Sequence, residues 1–134
     1  MELYLLDTDI CSYIMKRSHP KLLDKMRSVD LELIAISIVT EAELLYGIKL
    51  STKPSVANAA FEDFIKHVRV IAWDHEAAKN YADIRAFLHK RGQMIGANDL
   101  MIAAHARSLG ATLVTNNERE FRRVRELKIE NWSV

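Results

Sequence analysis

The stretch Leu3-Tyr4-Leu5-Leu6-Asp7-Thr8-Asp9 places a short apolar run directly before two carboxylates. The run is typical of a buried strand, which is predicted to end at Asp7. A second acidic motif, Gly96-Ala97-Asn98-Asp99, opens a predicted helix much later in the chain. In an open parallel sheet, ligands bind in the crevice beyond the carboxyl ends of the strands. The sequence therefore predicts that Asp7 and Asp99 face such a crevice.

Strand-like apolar runs alternate with helical periodicity along the rest of the chain. The predicted helices cover residues 10–16, 19–28, 38–50, 56–67, 75–90 and 99–109, with a turn or short helix at 117–121. The predicted strands cover residues 3–6, 31–36, 68–72 and 112–115, with a further edge strand at 128–130. This alternation predicts an α/β fold, in which helices cover both faces of a mostly parallel sheet of four or five strands.

Polar residues before the helical stretches are predicted N-caps. Thr8 or Asp9 is expected to cap the first helix, and Ser37 the helix that follows the second strand. Asp74 and Asn98 are expected to cap the two later helices, and Gly110 is expected to stop the second of them.

The composition limits the class of protein. The chain of 134 residues is predicted to be one domain, residues 1–134. Its 19 Lys+Arg and 18 Asp+Glu leave a net charge of +1, which neither indicates nor excludes nucleic-acid binding. One cysteine, Cys11, excludes an internal disulfide and favours a reducing compartment. Without a signal-peptide pattern or an apolar run near ~20 residues, we expect a cytoplasmic protein with no membrane partner.

Acidic residues recur where the predicted strands end. Asp7 follows the first strand, Glu43 lies on the helix after the second, Asp99 opens its helix, and Glu118 and Glu120 follow the fourth strand. A parallel sheet would bring these positions together. Because carboxylates that share a pocket repel one another unless a cation neutralises them, the pattern predicts a magnesium site suited to phosphate chemistry.

Each acid also has a purely structural interpretation. Asp7 could serve merely as the N-cap of the first helix. Thr40-Glu41-Ala42-Glu43 fits a capping box. Asp99 could be an acid favoured by the helix dipole, while Glu118 and Glu120 could pair with neighbouring arginines. Independent caps have no reason to cluster at one end of a sheet, which favours the shared site.

Four blocks of the sequence resemble the PIN-domain ribonucleases, specifically the VapC-type toxins of bacterial toxin–antitoxin pairs. Their order and spacing span almost the entire chain. The blocks are Tyr4-Leu5-Leu6-Asp7-Thr8-Asp9; Ile36-Ser37-Ile38-Val39-Thr40-Glu41-Ala42-Glu43-Leu44-Leu45-Tyr46-Gly47; Ile95-Gly96-Ala97-Asn98-Asp99-Leu100-Met101-Ile102-Ala103-Ala104-His105-Ala106; and Leu113-Val114-Thr115-Asn116-Asn117-Glu118-Arg119-Glu120-Phe121, followed by Ile129-Glu130-Asn131-Trp132.

The resemblance implies a PIN-like three-layer α/β/α fold and a metal-dependent endoribonuclease with Asp7, Glu43 and Asp99 as its acidic core. Mg²⁺ or Mn²⁺ would be bound chiefly by Asp7 and Asp99. The resemblance also implies a cognate VapB-type antitoxin that blocks the site with its C-terminal tail, and a toxin homodimer within a toxin–antitoxin hetero-oligomer. The Thr-Asn-Asn-x-Arg-Glu-Phe block implies cleavage of initiator tRNA in its anticodon stem-loop.

The sequence departs from the family pattern at two positions. Position 9, often Asn in the family, is Asp here, which would add a carboxylate beside the metal. Many PIN domains have Asp two residues after the threonine that is Thr115 here, but this chain has Asn117. The fourth carboxylate is then Glu120, Glu118 or none, with Glu120 expected. The number of metal ions in turnover, one or two, stays open.

Basic and apolar residues outside the acidic motifs also have two interpretations each. Arg119, Arg122 and Arg123 are expected either to contact RNA or to form a solvated surface. The apolar segments 13–15 and 44–46 are expected to pack in the core, or in part to form a groove for the antitoxin.

Two other functions compete with the nuclease. Asp7-Thr8-Asp9 also matches the nucleophile motif of haloacid-dehalogenase-like phosphatases, with Asp7 as nucleophile and Asp9 as acid/base. Cys11 departs from that motif, and no segment resembles a substrate cap. The presence of Asn117 motivates a second alternative, a non-catalytic RNA-binding or adaptor module on the same scaffold.

Overall fold

A parallel sheet of five short strands organises the fold. The computed structural model describes residues 2–134, in which the strands are ordered β3-β2-β1-β4-β5 and every neighbouring pair is parallel. The sheet is therefore wholly parallel, where the sequence predicted a mostly parallel one. The strands are β1 (Tyr4–Leu6), β2 (Ile34–Ser37), β3 (Arg69–Ile71), β4 (Thr112–Val114) and β5 (Lys128–Glu130).

Seven helices connect and cover these strands. None of the helices in residues 2–134 is long and apolar enough to cross a membrane. They are α1 (Thr8–Lys16), α2 (Pro20–Ser28), α3 (Ile38–Leu50), α4 (Pro54–Ile65), α5 (His75–Arg91), α6 (Ala97–Ser108) and α7 (Glu118–Phe121).

Successive residues of β1 point to opposite faces of the sheet and build two separate cores. Leu5 packs in one core with Leu88 of α5 and Ala103 of α6. Leu6 packs in the other with Ile10 of α1 and Phe61 of α4. This division follows from the two-residue period of a strand. It confirms the predicted three-layer α/β/α arrangement.

The order in which strands are added to the sheet reverses after β3, which makes β1 and β4 neighbours. From β1 the chain moves outward to β2 and β3, and then returns to the other side of β1 as β4. Leu5 pairs with Ala35 of β2 on one side and with Leu113 of β4 on the other. The carboxyl ends of β1 and β4 thus form the topological switch point, where sheets of this type bind ligands.

Several predicted boundaries are wrong for local reasons. Helix α1 begins at Thr8 and not at Ile10, because Asp7 is its N-cap. Helix α4 begins at Pro54, whose ring suits the first helical turn. Residues 31–33 form a 3₁₀ turn, capped by the side chain of Asp30, so the second strand begins only at Ile34.

Other predicted caps are confirmed, and one is not. Ser37 caps α3 and Asp74 caps α5, each by accepting a backbone N–H. Gly92 ends α5 at φ 63°, a left-handed conformation that glycine adopts without steric cost. Helix α6 begins two residues earlier than expected, with Gly96 at the N-cap, because the Asn98 side chain bonds to Glu43 instead.

We predict that Leu5→Ala lowers the free energy of unfolding by about 2–5 kcal/mol, because Leu5 is fully buried on the central strand. Urea unfolding of the parent and the variant measures the change. Leu50→Ala is the control, since Leu50 is 66% exposed and its truncation should cost less than about 0.5 kcal/mol. Equal losses in both variants would contradict this account of the core.

Candidate active site

Asp7 lies at the switch point with both carboxylate oxygens bound. It is 4% exposed, and its backbone N–H donates to the Val114 carbonyl at 3.0 Å. One oxygen accepts the Ile10 N–H at 2.9 Å, and the other accepts the Thr115 hydroxyl at 2.5 Å. Asp7 therefore caps α1, as the structural interpretation proposed, and it also bonds across the switch point.

Glu43 is held between two other elements. The Thr8 hydroxyl of α1 donates to Oε1 of Glu43 at 2.5 Å, and the Asn98 amide of α6 donates to Oε2 at 3.0 Å. The capping-box interpretation of Glu43 is wrong, because Ser37 caps α3 and Thr40 is buried inside the helix. Both oxygens of Glu43 are instead bound by long-range partners.

Asp99 and Glu120 meet at the start of α6. The Asp99 carboxyl lies within hydrogen-bonding reach of the Glu120 carboxyl on α7. The Asn117 amide donates to Glu120 at 2.5 Å, and its backbone N–H donates to the Thr115 hydroxyl at 2.9 Å. Asn117 thus connects the Glu120 side of the site with the Thr115 that binds Asp7.

Burial and neighbouring negative charge disfavour the ionisation of Asp7 and Asp99. Burial raises the pKa of Asp7 to about 6, assisted by the negative charges of Asp9 and Glu43 and opposed by its hydrogen bonds. Burial also raises the pKa of Asp99 to about 7, assisted by the hydrogen bond with Glu120 and by the charges of Glu120, Asp7 and Glu43. Asp7 and Asp99 each therefore lie within range of the charge of Glu43, and Asp99 also lies within range of the charges of Asp7 and Glu120.

The chemistry of these donors suits a divalent cation. Within residues 2–134, no three His, Cys, Asp or Glu side chains already converge as a preformed metal centre. The raised pKa values of Asp7 and Asp99 nevertheless mark negative charge that a cation would neutralise. Carboxylate oxygens are the ligands that Mg²⁺ prefers. A cation bound there would relieve the repulsion that raises the pKa of Asp99.

Two of the predicted acids lie outside this group. Glu118 pairs with Arg122 at 2.9 Å and also accepts the Asn131 amide, so the surface-pair interpretation describes it well. Asp9 is exposed on α1, although its charge contributes to the raised pKa of Asp7. Of the two glutamates on α7, only Glu120 acts on the pKa of Asp99 among the described residues.

Sequence reasoning missed the anchors of Glu43. Thr8 and Asn98 were predicted as helix caps, yet both donate to Glu43. The available signal was their position, since each directly neighbours one of the predicted acids in the sequence.

His105 is a buried helix residue behind the site. It is 1% exposed on α6, and its Nδ1 lies 2.7 Å from the Ser37 hydroxyl. Burial lowers its pKa, which favours the neutral imidazole. His105 thus connects the helix of Asp99 with the cap of the helix of Glu43.

Comparison with known proteins assigns the family. The PIN domain family matches residues 4–127, which include all four of the interacting acids. The chain belongs to the PIN-domain family. This membership overturns the phosphatase alternative and assigns Asp7-Thr8-Asp9 to the PIN pattern.

Individual PIN-domain relatives match over nearly their full length. Ribonuclease VapC2 of Haemophilus influenzae is 41% identical over 129 residues, covering 96% of this chain and 97% of that protein. The tRNA(fMet)-specific endonuclease VapC of Shigella flexneri is 39% identical, covering 97% and 98%. The crystal structure of DNA-bound VapBC from Salmonella typhimurium matches with a TM-score of 0.92 and 36% identity, covering 98% of this chain and 99% of that chain. Within the PIN-domain family, the chain is a VapC-type protein.

We predict that Asp99→Asn stabilises the metal-free PIN domain at pH 8 and not at pH 5. The raised pKa of Asp99 means that the folded state holds its proton more tightly than the unfolded state does. Its stabilising contribution is thus present at low pH and is lost as pH rises through about 7. We expect a gain of about 1 kcal/mol at pH 8, since Asp99 is partly exposed.

Urea unfolding in EDTA at both pH values measures this difference. Asp63→Asn on α4, an exposed carboxylate, is the control and should show no pH-dependent gain. The same stability difference between parent and Asp99→Asn at pH 5 and pH 8 would refute the proposed repulsion.

Proposed function

We propose that the protein is the toxin of a toxin–antitoxin pair and acts as a divalent-metal-dependent endoribonuclease. The observation that carries the proposal is the interaction of Asp7, Asp99, Glu120 and Glu43 at the switch point of a PIN fold. The relatives named as ribonucleases supply the reaction class. We propose Asp7, Glu43, Asp99 and Glu120 as the catalytic residues.

Asp7 and Asp99 would hold Mg²⁺ or Mn²⁺, which when bound supplies Lewis-acid polarisation of the phosphodiester and a water of lowered pKa. Glu43 cannot rotate freely, because the Thr8 hydroxyl and the Asn98 amide bind its two oxygens. We propose that it orients the attacking water and accepts its proton. Asn117 holds Glu120 against Asp99 and so fixes the opposite wall of the site. In-line attack by water leaves a 5′-phosphate and a 3′-hydroxyl.

We propose tRNA as the substrate, with the anticodon stem-loop of initiator tRNA as the cleaved element. The support is a relative of 39% identity that is named a tRNA(fMet)-specific endonuclease and aligned over 97% of this chain. The block Thr115-Asn116-Asn117-Glu118-Arg119-Glu120-Phe121, which carried this expectation in the sequence, supplies three of the side chains that surround Asp7 and Asp99.

We propose that a cognate antitoxin occupies an apolar groove that runs along α1, between this helix and α3 and α4. Two cavities of about 240 and 360 Å³ share Met15 in their walls, and the larger also includes Thr8 and Glu43. An apolar segment lying there would end beside the candidate active site, which is how it would inhibit. Matching crystal structures that contain VapBC support this partner. A homodimer of the toxin stays a prediction from the resemblance.

The decisive test is RNA cleavage by the parent protein, freed of antitoxin, and by two variants. We expect metal-dependent cleavage at one principal site of initiator tRNA, abolished by EDTA. Asp99→Asn and Glu43→Gln should lower the rate at least about 100-fold, since each removes charge that acts in the transition state. Glu62→Gln on α4, an exposed position, is the matched control and should cleave like the parent.

Mapping the RNA ends and comparing substrates separates the parts of this proposal. A 2′,3′-cyclic phosphate end would contradict attack by water. Equal cleavage of elongator methionine tRNA would contradict the choice of substrate. RNA binding without any metal-dependent cleavage by the folded parent would instead support the non-catalytic binding module.

Metal binding is tested without turnover by thermal unfolding. We expect Mn²⁺ or Mg²⁺ to stabilise the parent at pH 8, by about 2.7 kcal/mol at one hundred times its dissociation constant. The gain should shrink at pH 5.5, because Asp7 and Asp99, with pKa values of about 6 and 7, must lose their protons to bind the cation. Asp99→Asn should lose most of the gain, and an equal gain in that variant would rule out Asp99 as a ligand.

A further inference from the structure

Two basic segments that are distant in the sequence meet in one cavity beside α7. The cavity has a volume of about 420 Å³ and no carboxylate in its wall. One segment is the end of α5 with the residues just after it, and the other runs from α7 into the following turn. The wall is lined by Phe87, Arg91, Gln93, Arg119, Arg122, Arg123 and Arg125.

An aromatic ring and two carbonyls fix several of these arginines. The guanidinium carbons of Arg91 and Arg125 lie 4.4 and 4.3 Å from the centre of the Phe87 ring. Arg123 donates to the Met94 carbonyl at 3.1 Å, which ties it to the loop between α5 and α6. Stacking on a ring face orients a guanidinium and leaves its N–H groups available at the edge.

The positive charge of the cavity is only partly compensated. Arg122 pairs with Glu118 at 2.9 Å, and Arg125 approaches Asp83 at 3.4 Å. Arg91 and Arg119 form no ion pair with any residue in the range 2–134. Like charges gathered around one cavity repel one another, and an anion with several oxygens would relieve that repulsion.

The cavity and the candidate active site both use residues of α7. Arg119 lies between Glu118 and Glu120 in the sequence, and Glu120 contacts Asp99. The loop carbonyls that bind Arg123 belong to Gln93 and Met94, a few residues before α6 begins. An RNA strand with one phosphodiester at Asp99 would therefore place a neighbouring phosphate on the side of the arginines.

We propose that this cavity binds a backbone phosphate of the RNA substrate, next to the phosphodiester that is cleaved. The inference rests on the proposed ribonuclease function and assigns it a second contact with the strand. It also changes the expected roles of the arginines. Arg91 and Arg119 contact the phosphate, whereas Arg123 positions the loop that leads to Asp99. An acidic segment of a protein partner is the alternative occupant.

The test measures the affinity for labelled tRNA, as a function of salt, in the non-cleaving Asp99→Asn background. Arg91→Gln with Arg119→Gln should weaken binding about 10-fold near physiological salt. The slope of log K against log salt should fall by about 1, because roughly one fewer phosphate is neutralised. Arg119→Gln alone, at an exposed position whose side chain forms no hydrogen bond within residues 2–134, should give part of the effect and guards against misfolding.

The matched control removes the same charge at the opposite edge of the sheet. Lys66→Gln with Arg69→Gln alters the residue that ends α4 and the first residue of β3, and β3 lies on the far side of β1 from β4 and β5. We expect the salt slope of this control to equal that of the parent. Equal losses in control and test variants would overturn the inference, since the arginines would then act only through net charge.

Cleavage with Asp99 intact separates this inference from the proposed function. The double variant should still cleave tRNA in a metal-dependent way but should require about 10-fold more protein for half-maximal cleavage, in line with its weaker binding. A parent that binds tRNA through the cavity without cleaving it would support the cavity and refute the nuclease. A double variant that binds tRNA normally, with or without a loss of antitoxin binding, would refute the cavity.

Discussion

The hydrogen bond from Thr115 to Asp7 joins the carboxyl ends of β1 and β4, and the arrangement of the site depends on it. Strand pairing brings the two chain segments together, but only this bond fixes the second oxygen of Asp7. The same Thr115 hydroxyl accepts the backbone N–H of Asn117, whose amide holds Glu120. One hydroxyl thereby sets the position of acids from both sides of the switch point.

The site concentrates negative charge that the fold itself does not neutralise. No Lys or Arg forms an ion pair with Asp7, Glu43, Asp99 or Glu120 in the part of the chain between residues 2 and 134. Neutral donors satisfy the oxygens of Asp7 and Glu43 instead. Such an arrangement destabilises the metal-free protein while it keeps the carboxylates available to a cation, a conflict typical of functional sites.

The features of the fold that depend on interactions between residues close in the sequence could be predicted from the sequence. Apolar runs predicted the strands, Ser37 and Asp74 were identified as caps, and the acids were expected to lie together because parallel strands end at one edge. The errors occur where tertiary contacts compete with local ones. Asn98 has the chemistry of a cap but donates to Glu43, which is distant in the sequence. The burial of His105 and the meeting of Arg91 with Arg119 likewise depend on how α5, α6 and α7 pack together.

Glu43 is held by uncharged donors, so ionic strength should affect its orientation and the capture of a polyanion differently. Dissolved ions screen interactions between charges strongly, but they leave the short hydrogen bonds from a hydroxyl and an amide almost unchanged. The arginine-lined cavity, in contrast, acts through charge. Added salt should therefore alter how readily a polyanion is captured and leave the orientation of Glu43 intact. Under the proposed function, the ionic medium would affect the capture of the RNA strand and would leave the alignment of Glu43 almost unchanged.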